Sequence, residues 1–76
     1  MIKSYFFYVR KYSIFTNDYE LYVYKCKTTD PFHVMGEMLY RSMEQIQRID
    51  FNEVTPEREK FWQEQNQTIY TWFNKY

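Results

Sequence analysis

The fold of this chain is decided by residues 2–28, which read IKSYFFYVRKYSIFTNDYELYVYKCKT. Residues 2–15 and 19–28 are rich in Tyr, Phe, Val and Ile, which favour β-strands. The segment between them, residues 16–18, is short and polar, and Asn and Asp tolerate the left-handed backbone that tight turns demand. We therefore predict two antiparallel strands joined in a hairpin.

The register of this hairpin decides which side chains share a face, because successive residues of a strand point to opposite faces. A two-residue turn at Asn17 and Asp18 would set Arg10 against Lys25, an unfavourable like-charge pair. A three-residue loop avoids this pair, and it is the register that we predict. It places Phe7, Val9, Phe15, Leu21 and Val23 on one face and Tyr8, Arg10, Tyr12, Tyr22, Tyr24 and Cys26 on the other.

Two helices are predicted after the hairpin, each beginning with a capping side chain followed by proline. Asp30 and Pro31 begin the first helix, which we expect to span residues 31–48. Thr55 and Pro56 begin the second, which we expect to reach the C-terminus. At 100° per residue, one stripe of the first helix should lie on the sheet; it holds Phe32, Met35, Met38, Leu39, Met43, Ile46 and Ile49.

The segment between the helices, residues 49–54, alternates weakly between apolar and polar side chains. This pattern fits either a short third strand or an extended link. The sequence thus predicts an α+β fold in which an antiparallel hairpin packs against two helices, in the order ββα(β)α. With 76 residues, we expect residues 1–76 to form a single compact domain.

The residue inventory argues against several kinds of catalytic and metal site. Cys26 is the only cysteine and His33 the only histidine, so neither an internal disulfide nor a Cys/His zinc site is expected. Cys26 paired with His33 lacks a third, orienting group and is better read as an inert cysteine. The single glycine, Gly36, cannot form a phosphate-binding loop; close helix packing or simple tolerance explains it better. We expect no enzyme activity, no cofactor and no metal.

We expect no secretion signal in the N-terminal segment, because its apolar run, Tyr5 to Val9, is followed at once by Arg10 and Lys11. No stretch approaches the ~20 apolar residues needed to cross a bilayer. We expect a cytoplasmic protein without a membrane partner.

Aromatic residues and charge asymmetry are the outstanding features of the composition. Nine Tyr, seven Phe and two Trp make up 24% of the chain, more rings than one small core needs. The net charge is zero, but residues 1–29 carry five basic and two acidic side chains, and residues 30–76 carry five basic and eight acidic ones. We expect the two halves to attract each other and some of the rings to face a partner.

The predicted partner-binding residues are those of the mixed aromatic and basic hairpin face: Tyr8, Arg10, Tyr12, Tyr22 and Tyr24. This face could be covered as core, pair with a second copy as a homodimer, or anchor a different protein through Tyr and Arg. In residue type it also resembles a stacking platform for single-stranded nucleic acid.

A small, non-enzymatic protein-binding module is the function that these patterns favour. An inhibitor or modulator of a larger complex, such as an anti-CRISPR-like protein of a phage or mobile element, would have this size and build. The alternatives are a nucleic-acid-binding regulator using the basic hairpin and a structural subunit of a homo-oligomer. Mutations in this surface need controls in the core, where truncation should destabilise the fold. The predicted core positions for this purpose are Leu21, Val23, Leu39, Ile46 and Trp72.

Overall fold

The computed structural model describes residues 1–41 and 46–73, which form a mixed four-stranded sheet and two helices. The sheet has the order β3-β1-β2-β4, with β1 antiparallel to both β2 and β3 and with β4 parallel to β2. The predicted α+β class, with a hairpin and two helices, is confirmed. The elements in chain order are β1 (Lys3–Ser13), β2 (Asp18–Thr28), α1 (Pro31–Arg41), β3 (Ile46–Glu53), α2 (Pro56–Glu64) and β4 (Ile69–Thr71).

The hairpin register differs from both registers considered in the sequence, because the loop is longer than predicted. Ser13 pairs with Asp18 across a loop of residues 14–17, and Arg10 lies opposite Leu21. This register also keeps Arg10 away from Lys25, and in addition it pairs Lys11 with Glu20, a favourable opposite-charge pair. Asn17 has φ 56°, so the expected left-handed turn residue is present. Phe15, which was predicted to face the core, lies in the loop and is exposed.

Each face of the sheet is covered by one helix. Val34 and Met38 of α1 pack on Phe7 and Val9, so we call this side the α1 face. Trp62 of α2 packs on Tyr8 on the opposite side, the α2 face. From the observed register, the α1 face holds Tyr5, Phe7, Val9, Lys11, Glu20, Tyr22, Tyr24 and Cys26, and the α2 face holds Phe6, Tyr8, Arg10, Tyr12, Tyr19, Leu21, Val23 and Lys25.

Helix α1 is described as far as Arg41, and strand β3 has begun by Ile46, so the helix does not reach the predicted end at residue 48. The predicted stripe therefore mixed helical and strand residues: Ile46 and Ile49 belong to β3, where they pack against the core from the sheet. Within the helix, the buried line is Val34 and Met38, whereas Phe32 and Leu39 are exposed. Met43 lies outside the described residues. The undecided segment 49–54 is resolved as part of strand β3 through Glu53.

Helix α2 ends at Glu64, well short of the predicted C-terminal end. Asn66 follows with φ 52°, and the chain then turns back so that Ile69 pairs with Val23 of β2. Residues 65–66 thus form a turn where one continuous helix had been predicted. The predicted start is confirmed, since Thr55 Oγ1 accepts a hydrogen bond from the Arg58 N–H at 3.2 Å.

The predicted core positions have mixed outcomes. Val23 is fully buried, and Ile46 and Trp72 pack against the core cluster on the α1 face. Leu21 and Leu39 were wrong as core positions, because the four-residue hairpin loop and the actual helix face leave both partly exposed to solvent. Within residues 1–41 and 46–73, neither helix has the length and hydropathy of a membrane span.

Candidate protein-binding groove

A groove of about 500 Å³ lies between helix α2 and the α2 face of the sheet. Strand β1 and β2 residues form its floor, β3 forms one side, and α2 forms the other. We call it the α2 groove. It is lined by Tyr8, Leu21, Asp50, Asn52, Glu57, Arg58, Phe61 and Trp62.

The floor of the α2 groove is fixed by a chain of hydrogen bonds that joins three elements. The Tyr8 hydroxyl donates to Asn52 Oδ1 at 2.7 Å, and it accepts from Trp62 Nε1 at 3.4 Å. The Tyr8 and Trp62 rings also pack together, with centroids 5.4 Å apart and planes inclined by 38°. Such a chain holds the side chains in one arrangement, which lowers the entropy lost when a ligand binds.

Exposed apolar side chains border this fixed floor. Phe61 is 51% exposed, although its ring meets the Trp62 ring edge-on at 4.9 Å, and Leu21 is 39% exposed. Helix α2 has no fully buried residue, so each of its aromatic side chains lies partly against the protein and partly in solvent. Exposed aromatic groups beside a rigid concave surface are typical of the residues that dominate protein interfaces.

The charges along the α2 groove are of both signs. Arg58 Nη1 donates to the backbone carbonyl of Glu53 at 2.8 Å, which fixes the guanidinium at the start of α2. On the β3 side, Asp50 forms an ion pair with Arg48 at 2.6 Å. Glu57 adds a second carboxylate. The groove can therefore offer hydrogen-bond acceptors and donors at its border while its centre remains aromatic.

The predicted partner-binding residues do not share one face, so this premise of the sequence analysis is wrong. The observed register places Tyr8, Arg10 and Tyr12 on the α2 face and Tyr22 and Tyr24 on the α1 face. Tyr8 is part of the groove. Arg10 is exposed, and its Nε donates to Gln47 Oε1 at 3.0 Å, while Tyr12 packs edge-on against Tyr19 at 5.6 Å.

Tyr22 and Tyr24 instead belong to an aromatic cluster at the β2–β4 junction. Tyr24 meets the Trp72 ring edge-on at 5.8 Å and lies 5.6 Å from Tyr70. Tyr22 carries the Lys11 ammonium 4.5 Å above its ring centre, a cation–π contact. The Tyr22 ring also lies 6.1 Å from that of Tyr70, so both tyrosines help to attach β4 to the sheet. That either of them contacts a partner stays a prediction.

The chain matches no protein-family model, no curated protein and no solved structure. Its function is therefore argued from the groove and from the chemistry of the described side chains.

Two aromatic residues of the groove, Phe61 and Trp62, were not among the predicted partner-binding residues. Neighbouring residues of a helix are separated by 100°, so a lone helix on a sheet cannot bury two adjacent large rings equally. The adjacent pair Phe61-Trp62 in a polar helix was the available signal for an exposed aromatic surface. In the structure Trp62 packs on the sheet and Phe61 faces the groove.

Cys26 has the properties of a buried structural cysteine. Its side chain is 2% exposed, and burial, together with the nearby negative charge of Glu37, raises the pKa of its thiol. A thiol that stays protonated is a poor nucleophile. Within the part of the chain that the structure describes, no three His, Cys, Asp or Glu side chains are grouped so that they could hold a metal ion.

Proposed function

We propose that this chain is a small, non-enzymatic protein-binding module that holds another protein in the α2 groove. The observation that carries the proposal is the combination of a hydrogen-bonded floor, made by Tyr8, Asn52 and Trp62, with the exposed Phe61 and Leu21 beside it. A partner side chain that enters the groove would contact three aromatic rings and lose little entropy of the groove itself.

The charges of the hairpin favour a protein over a nucleic acid as the partner. Lys3 is paired with Glu53 and Lys25 with Glu59, each at 3.7 Å, so part of the basic character of the hairpin is balanced within the fold. The chain as a whole has no net charge. A nucleic-acid-binding domain usually presents an uncompensated basic surface, because phosphate contacts supply most of its affinity.

Within this class, we propose an inhibitor or modulator that acts in the cytoplasm by docking on a larger complex. An anti-defence protein of a phage or mobile element, comparable to an anti-CRISPR protein, is the specific form of this proposal. Its support is the small size of the chain and the exposed aromatic groove. The residues proposed to contact the partner are Phe61, Trp62, Leu21 and Tyr8, with Arg10 and Tyr12 extending the same face.

Affinity capture from nuclease-treated extract of the source cell tests the proposal, with washes at low and high salt. The wild type is compared with Phe61→Ser and with Phe15→Ser, a control that removes an exposed phenylalanine, 95% exposed, from the hairpin loop far from the groove in the chain. We expect one stoichiometric protein to survive both washes on the wild type and on Phe15→Ser. Its affinity for Phe61→Ser should fall about tenfold or more, as for a central aromatic contact.

Two outcomes would contradict the proposal in different ways. Equal capture of the same protein by both variants would move the binding site away from the α2 groove. Recovery of only salt-sensitive nucleic acid would replace the protein-binding module with the nucleic-acid-binding regulator, because phosphate contacts weaken steeply with salt.

A further inference from the structure

Strand β3 is a long strand at the border of the sheet. It spans Ile46–Glu53 and stands at one end of the strand order, with β1 as its neighbour. At the other end, β4 has only three residues. The backbone N–H and C=O groups of an edge strand that point away from the sheet can pair with a further strand, and a long edge is the better template. Strand β2 is also open beyond the three residues that β4 covers, but among the described strands β3 offers the longest edge.

The charges of β3 are arranged so that the strand complements itself. Arg48 and Asp50 flank Ile49, and both lie on the α2 face, opposite Arg10 and Tyr8 of β1. If two copies of β3 pair antiparallel with Ile49 opposite Ile49, each Arg48 lies directly opposite the Asp50 of the other copy. Opposite charges in this position stabilise a strand pair, here in addition to the Arg48–Asp50 ion pair within each copy.

Neighbouring registers lose this complementarity. A shift by two residues in one direction sets Arg48 against Arg48, and in the other direction it sets Asp50 against Asp50. A shift by one residue joins the α1 face of one copy to the α2 face of the other, because side chains alternate along each strand. Among these registers, only the Ile49-centred one pairs unlike charges and keeps the faces continuous across Arg48, Ile49 and Asp50, which follow the irregularity at Gln47.

Helix α1 presents apolar side chains above the same border. Phe32 packs edge-on on Phe51 of β3 at 5.0 Å, yet it remains 68% exposed. Leu39, two turns later on the same side of the helix, is 53% exposed. Extending the sheet at β3 places the α1 helix of the second copy on the same face, where Phe32 and Leu39 of both copies are covered.

We propose that the outer edge of β3 binds the outer edge of β3 in a second copy of this chain, antiparallel and centred on Ile49, to form a continuous eight-stranded sheet. The contact consists of strand pairing and two apolar side chains from each copy, which makes it a small interface of the weakly associating kind. The dimer should therefore dissociate as the protein is diluted.

Sedimentation equilibrium over a range of concentrations tests the dimer, using two charge reversals on β3. Position 48 of one copy faces position 50 of the other in the proposed dimer. A dimer of Arg48→Asp would therefore set carboxylate against carboxylate, and a dimer of Asp50→Arg would set guanidinium against guanidinium. Each variant alone should dissociate about tenfold or more readily than the wild type, a change of about 1.4 kcal/mol. An equimolar mixture should form a heterodimer as tightly as the wild type or more tightly. Glu64→Lys, a reversal on the distant end of α2, is the control and should dimerise normally.

A wild type that sediments as a monomer at every concentration overturns the proposal, and so does a mixture of folded variants that fails to associate. Hydrogen exchange of the wild type gives a test that needs no variant. The amides of β3 that point away from β1 should gain protection as the protein concentration rises, and a dimer that leaves them unprotected refutes this interface. The groove proposal stands or falls separately, since Phe61→Ser leaves the edge of β3 unchanged.

Discussion

Replacing Trp62 with alanine should destabilise the protein by about 3–4 kcal/mol, because Trp62 is the main attachment of α2 to the sheet. The ring packs on Tyr8 at 5.4 Å between centroids, and Nε1 donates to the Tyr8 hydroxyl. Losing ~100 Å² of covered apolar surface costs about 2.5 kcal/mol at ~25 cal/mol per Å². The ring pair adds ~0.5–1 kcal/mol and the long hydrogen bond a few tenths more.

Urea denaturation of the wild type and of Trp62→Ala measures this difference in the free energy of unfolding. The matched control is Phe61→Ala in the neighbouring position. Its ring is half exposed and lacks the hydrogen bond to the sheet, so its loss should cost less than that of Trp62, about 1–2 kcal/mol. Hydrogen exchange of Trp62→Ala should show the amides of α2 opening first. A Trp62→Ala protein within about 0.5 kcal/mol of the wild type would refute the view that this ring attaches the helix.

Three further substitutions have directions that follow from the structure. Gly36→Ala should stabilise the protein by ~0.5–1 kcal/mol in thermal unfolding, because a Cβ there meets nothing within 4 Å and the helix gains propensity; destabilisation would mean that the site is crowded. Thr55→Ala should cost about 1 kcal/mol through loss of the α2 cap, measured by urea denaturation. The pKa of Cys26 is raised above its ordinary value of 9.0 in the folded state, so its contribution to stability is present below that pH and is lost as the pH rises through the folded-state pKa. The stability difference between wild type and Cys26→Ser should shrink over that range, and native Cys26 should alkylate far more slowly than the unfolded chain.

The local features of the fold could be predicted from sequence, because each depends on neighbouring residues. Strand propensity on both sides of a polar break gave the hairpin, and Thr55 before Pro56 gave the start of α2. Gly36 illustrates the limit of this reasoning. Of its two explanations, close packing is wrong because the space around it is open, and simple tolerance remains.

The errors arose where long-range burial decided between locally similar choices. The hairpin register was chosen from one like-charge pair, whereas the structure takes a register that buries Phe6 and Phe7 on opposite faces. Strand β4 was missed because three residues carry too little pattern, and its pairing partner, β2, is distant in sequence. The candidate site depended on that register, which explains why Tyr8 is part of the groove while Tyr22 and Tyr24 are not.

The position of β4 also determines the order in which the sheet assembles. The hairpin closes over a few residues, whereas pairing Ile69 with Val23 joins positions 46 residues apart. Closing the longer loop therefore costs about 2 kcal/mol more in chain entropy than closing the hairpin. The hairpin should thus be present in the folding transition state, and the β2–β4 contact should form after it. Mutations in β4 will then change the unfolding rate and leave the folding rate nearly constant. The lifetime of the native state can therefore be adjusted at this edge of the sheet without slowing its formation.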